Sequence, residues 1–128
     1  MRALQRLPDA QGIAAMQSVN AAVLTPSFLV VFTGTAAACV LLLATAPFTD
    51  QPGTAWRVVG ALLHLVGVVA ATAGRNVPLN TALDGVEPTS SEGARLWEHY
   101  LTRWTAWNHV RTVAGTGAVT ALALALLG

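Results

Sequence analysis

The sequence predicts an all-α protein: a transmembrane helical bundle of three spans plus a short N-terminal helix, folded as one domain over residues 1–128. Three observations carry this. Hydrophobic residues make up 54% of the chain and charged residues 10%, against about a quarter charged in an ordinary soluble domain. Three apolar runs are each long enough to cross a hydrocarbon core, which takes about 20 residues and no fewer than ~17. The seven basic residues, all arginine, fall almost entirely on one side of the threading those runs impose.

The elements follow in chain order. After Arg2, Arg6 and Asp9, no charge occurs from Ala10 to Thr49. "DAQGIAAMQSVNAAVLT" (9–25) reads as a helix ahead of the first span, closed by Pro26. Ile13, Gln17, Asn20 and Leu24 recur at helical spacing and share a face. Gln17 and Asn20 on that face suit interhelical hydrogen bonds. "SFLVVFTGTAAACVLLLATAP" (27–47) is the first span. The "AAAC" ending at Cys39 has a slight likeness to a lipoprotein cleavage site. Ala36 stands where such a site wants a larger aliphatic residue, however, and the apolar run continues past the cysteine. Cys39 is the only cysteine, so it forms no intrachain disulfide and reads as a small buried hydrophobe.

The second span covers 57–75, where "VVGALLHLVGVVAATAG" is interrupted only by His64. It ends in "GRNVPLNTALD", which permits two readings. If the helix continues through Pro78, then Asn76, Asn80 and Asp84, spaced by four, line one face. If Pro78 opens a fresh helix, which suits proline, the asparagines serve as caps and turn formers. "DGVEPTSSEG" (84–93) is the plain loop, and Thr89 with Glu92 matches a capping box that starts the next helix. The third span is 109–127. Gly34 with Ala38, Gly67 with Ala71, Ala70 with Gly74 and Ala114 with Ala118 place small residues four apart, which lets helix backbones approach closely.

Orientation follows from charge. Arg2, Arg6, Arg75, Arg95, Arg103 and Arg111 lie on one side and Arg57 alone on the other, a positive-inside signal. A multi-pass protein of the cell (inner) membrane is expected, with its N-terminus and the 76–108 connection cytoplasmic. The net charge of +1 excludes a broadly basic nucleic-acid surface. No Cys–His cluster suggests zinc or another metal.

The helix entering the third span concentrates the chemistry. Trp97, Tyr100 or Leu101, Trp104, Asn108 and Arg111 recur at three or four residues as one stripe, with Trp107 beside it. An interfacial aromatic belt accounts for the tryptophans and tyrosine without any function. It does not account for Asn108, His109 and Arg111 in the first turn of a span, where ionisable groups are functional candidates.

Three ordered segments carry a resemblance. "LQRLPDAQGIAAMQSVNAAVLTP" (4–26), "RNVPLNTAL" (75–83) and "WTAWNHVRT" (104–112) resemble the anthrone-oxygenase-like family of small integral membrane proteins. The resemblance runs over nearly the whole chain and implies a four-helix membrane bundle. In some fungal members it implies oxidation of polyketide anthrones to anthraquinones without metal or flavin, so no cofactor is expected. Relatives usually carry another apolar helix before the "RLP" segment. This sequence begins almost inside that segment, so two expectations stand: the start lies further upstream, or three spans work with a homo-oligomer or a partner helix covering one bundle face.

That chemistry needs a base, an oxyanion holder and exclusion of water. His109 is the expected base, since imidazole titrates near neutrality. Arg111 and the amides of Asn20, Asn76, Asn80 and Asn108 are expected to hold the oxyanion, and Trp104 and Trp107 to bracket a small flat aromatic substrate that reacts with O2. A non-catalytic accessory or structural membrane subunit is the alternative reading. A haem anchor held by His64 and His109 is a weaker one. His64 lies eleven residues from Arg75, roughly 16 Å below that boundary at 1.5 Å per residue, whereas His109 sits near it. His64 therefore reads as a buried hydrogen-bonder whose intramembrane position leaves a role open.

Overall fold

The computed structural model describes residues 1–128 and contains helices and short connections only. We number the helices α1 (Asp9–Val23), α2 (Pro26–Thr45), α3 (Thr54–Asp84) and α4 (Ser91–Leu127). Three are long and apolar enough to cross a membrane: α2 with its 3-10 extension to Phe48, α3 and α4. At 37 residues, α4 runs roughly 55 Å, nearly twice a hydrocarbon core of about 30 Å. The excess length of α3 and α4 forms a collar beyond the spans, and α1 packs against it.

Local chemistry sets the boundaries. The Thr25 side chain accepts from the Phe28 backbone N–H at 3.2 Å and Pro26 opens α2, an N-cap followed by a proline whose missing N–H costs nothing there. Ser90, not Thr89, caps α4. Its Oγ accepts from the Gly93 N–H at 2.9 Å, so the expected Thr89–Glu92 capping box gives way to a simple N-cap, glycine at the third helical position having no side chain to reach back. The amphipathic segment and the third span are a single helix from Ser91 onward. Gly53 has φ +83°, and a side chain there would run into the Ala125 backbone.

α3 continues through Pro78 to Asp84, which decides between the two readings of that segment. Before the proline it widens into π turns over Leu63–Ala70 and Thr72–Asn76. Four residues overshoot a full α turn by about 40° and fall short of a π turn. Mixing the two geometries cancels the drift. His64, Val68, Thr72, Asn76 and Asn80, each four apart, therefore stay along one side of α3, where they line the cavities described below.

Two kinds of packing result. In the collar, Ile13, Met16, Leu83, Trp97 and Tyr100 form a buried apolar cluster. Each such side chain contributes about 1.5–3 kcal/mol relative to exposure. The buried face of α1 is Gly12, Ile13, Met16 and Asn20, so the expected face is corrected at its edges. Leu24 is exposed. Gln17 makes the interhelical bonds expected of it: its amide donates to the Leu83 and Val86 carbonyls at 2.9 and 3.0 Å, closing the end of α3. In the spans, contact falls to small residues. A Cβ at Gly67 would overlap Ala114, and one at Gly60 would overlap Leu122. Helix pairing in lipid relies on such close approach, because burial there releases no water.

Candidate functional site

Most hydroxyls on the spans are satisfied within their own helix. Thr33, Thr35, Thr45, Thr72, Thr112, Thr116 and Thr120 each donate to a carbonyl four residues back, at 2.6–2.9 Å, as an apolar solvent demands. Five buried side-chain atoms have no partner: His64 Nε2, Asn76 Oδ1, Trp104 Nε1, Thr105 Oγ1 and Arg111 Nε. Unpaired buried polar groups cost about 1–3 kcal/mol each, so their grouping calls for a reason.

Three of the five, Asn76, Trp104 and Arg111, belong to residues in the wall of one cavity. It has a volume of about 450 Å³ and lies between α1, α3 and α4, with Phe28 of α2 and Met1 and Leu4 at its edge. α1 supplies Met16 and Asn20, α3 supplies Thr72, Asn76 and Asn80, and α4 supplies Trp104, Asn108 and Arg111. The size suits a small ligand, for which pockets run about 300–1,000 Å³.

The wall is braced from the collar. Trp97, Tyr100 and Trp104 stack in series, with ring centroids 5.6 and 6.1 Å apart. The Tyr100 hydroxyl donates to Asn80 Oδ1 at 2.7 Å, and the Asn20 amide donates to Asp84 Oδ1 at 3.0 Å. Asn76 Nδ2 donates to the Trp104 carbonyl at 3.4 Å. A carbonyl only accepts, so that contact fixes the amide's orientation and leaves Asn76 Oδ1 as the free acceptor. Asn76 is 2% exposed. An unpaired acceptor therefore stands in the same wall as residues bearing two unpaired donors, the Trp104 indole N–H and the Arg111 Nε–H.

A second cavity, about 660 Å³, lies deeper along α3 and α4 and is closed on one side by α2. His64 and Cys39 line it. So do Asn108 and Arg111, which belong to both cavities.

The structure thus brings together Asn20, Asn76, Asn80, Trp104, Asn108 and Arg111 around one cavity. It does not bring His109 there. That side chain is exposed and lines neither cavity, because Asn108 and Arg111 already occupy the inward face of α4 and the intervening residue points away. The expected base is corrected on this ground. Trp107 is corrected likewise: its ring lies under the Arg75 guanidinium, 5.0 Å from centroid to Cζ, in a separate cavity with Pro78, His99 and Arg103. His64 lines the deeper cavity and exposed His109 does not, which argues against a haem between them. Sequence reasoning missed the join between His64 and the Asn108–Arg111 wall. The four-residue spacing from His64 to Asn80 was its signal.

A family model described as anthrone oxygenase matches residues 14–121. No curated protein and no solved structure matches the chain. The matched stretch runs from α1 into the last turns of α4 and includes every cavity residue above except Met1 and Leu4 of the first cavity and Leu122 of the second. On that match the chain belongs to the anthrone oxygenase family.

Proposed function

We propose that the protein binds a flat polycyclic phenol or ketone of the anthrone class in the α1–α3–α4 cavity and oxidises its methylene carbon with O2, without metal or flavin. The methylene loses two hydrogens and gains a carbonyl oxygen from O2. The other oxygen atom leaves as water. What supports this most directly is the trio of unpaired groups: Asn76 Oδ1, the Trp104 N–H and the Arg111 Nε–H. A hydroxyl beside a ketone would satisfy an acceptor and two donors at once. Once the substrate becomes an enolate, the Arg111 guanidinium strengthens its hold on the oxygen, where charge develops. The apolar wall excludes water from the anion and gives the rings a surface to lie against.

The test is aerobic incubation of the purified protein in micelles with anthrone. One O2 should be consumed per anthraquinone formed. Arg111→Lys should lower kcat/KM by roughly 10²-fold, the effect of removing one oxyanion donor, because lysine lacks the planar fork. Absence of turnover in the wild type would sink the proposal.

The arginine distribution supports a site in the cell (inner) membrane with α1 and the collar cytoplasmic. A cysteine at exposed Ser91 should resist an impermeant thiol reagent in intact cells, and one at Thr54 should react. Reversed labelling would overturn this orientation. A second reading, a non-catalytic membrane subunit, draws on α2, where Cys39 is the sole buried residue. A helix this bare suits a homo-oligomer or a partner helix. Crosslinking in native membranes should give discrete multimers, and a monomer band at every dose would contradict it.

A further inference from the structure

We infer that His64, inside the membrane half, is the proton acceptor of this site, and that the two cavities form one cleft which the substrate occupies across Arg111. The inference rests on the anthrone reading. The side chains of the outer cavity offer amides, an indole, a hydroxyl and a guanidinium as their polar groups, and none of these takes a proton from carbon near neutrality. The adjoining cavity supplies what is missing. It holds His64 from α3 and Cys39 from α2 and shares Asn108 and Arg111 with the first. His64 Nε2 is buried and unpartnered, while the hydroxyls of Thr112, Thr116 and Thr120 on the same wall are spent on their own helix.

The arrangement matches the substrate. In an anthrone the carbonyl oxygen and the methylene carbon stand at opposite positions of the central ring. A base for the methylene must therefore lie across the ring from the group that holds the oxygen. A base beside Trp104 and Asn76 would meet the wrong end. His64 of α3 and Arg111 of α4 line the same deeper cavity, and they supply the two ends. The His64 imidazole takes a methylene proton, and the C–H electron pair enters the ring system as an enolate whose oxygen Arg111 holds. The enolate passes one electron to O2, and the resulting radicals join in a C–O bond to give a peroxide. The imidazolium returns its proton to the distal peroxide oxygen. His64 then takes the second methylene proton as its electron pair forms the carbonyl and the O–O bond breaks, and that proton joins the departing hydroxide as water. Atoms and electrons balance with O2 as the sole oxidant.

Methylene exchange separates the base from the oxidation. Without oxygen, the wild type should exchange anthrone methylene hydrogens with D2O well above the protein-free micelle rate. His64→Gln should lose that exchange and, in air, lose roughly 10²–10⁴-fold in kcat. Its dissociation constant for anthraquinone, followed by tryptophan quenching, should change less than about threefold, since uniform binding is untouched. Imidazole added to His64→Ala should restore part of both rates, which a merely structural histidine does not allow. If His64→Gln exchanges and oxidises like the wild type, or if His64→Ala folds and binds anthraquinone without imidazole rescue, His64 is not the acceptor. A wild type that neither exchanges nor oxidises anthrone overturns the reading of the site itself.

Discussion

One helix, α4, passes through both halves of the molecule and meets opposite treatment in each. In the collar its Trp97 and Tyr100 are 2% and 0% exposed. In the span its Val113 and Val119 are 74% and 69% exposed. In the collar, water drives large side chains inward and they form a core. In the span, lipid is as good a solvent for valine as another valine is, so glycine and alanine take the contacts. The cavity lies where these regimes meet. Aromatic stacking fixes one end of it, and the loosely packed spans leave room at the other.

Substitutions should separate the two regimes. Tyr100→Ala should have the largest effect, about 3–5 kcal/mol of unfolding free energy in micelles, since it empties the collar core and strips Asn80 of its donor. A loss below 1 kcal/mol would show that the collar is not the cohesive half. Gly67→Leu should come next, at about 1–3 kcal/mol or more, because the new side chain collides with Ala114. Gly34→Leu, with open space around it, should cost almost nothing in the same assay. Similar losses at both glycines would remove the claim that the spans make their close approach at the α3–α4 seam. Ser90→Ala should cost about 1 kcal/mol through the lost cap, and Val113→Leu less than about 0.5 kcal/mol on the lipid face.

The sequence made the spans legible because charge and hydropathy depend on the solvent and not on the tertiary partner. The amides of Asn76 and Asn80 were legible for a similar reason, since their spacing of four survives any helical continuation. His109 misled because residue type was read without azimuth: it lies one position from Asn108, and that step turns a side chain by about 100° on a helix. The pairing of Asn20 with Asp84 and the capping of α3 by Gln17 depend on how α1 docks. No periodicity encodes that. The π turns were invisible as well, yet they keep His64 in line with Asn76.

The central claim is that the inward face of α4, and not its neighbouring histidine, works on the substrate. Steady-state oxidation of anthrone by Arg111→Lys and His109→Ala, compared with the wild type at equal folded concentration, tests it most directly. We expect roughly 10²-fold loss of kcat/KM for Arg111→Lys and activity within about twofold of wild type for His109→Ala, whose side chain meets neither cavity. Loss of turnover in His109→Ala with Arg111→Lys unimpaired would contradict the account.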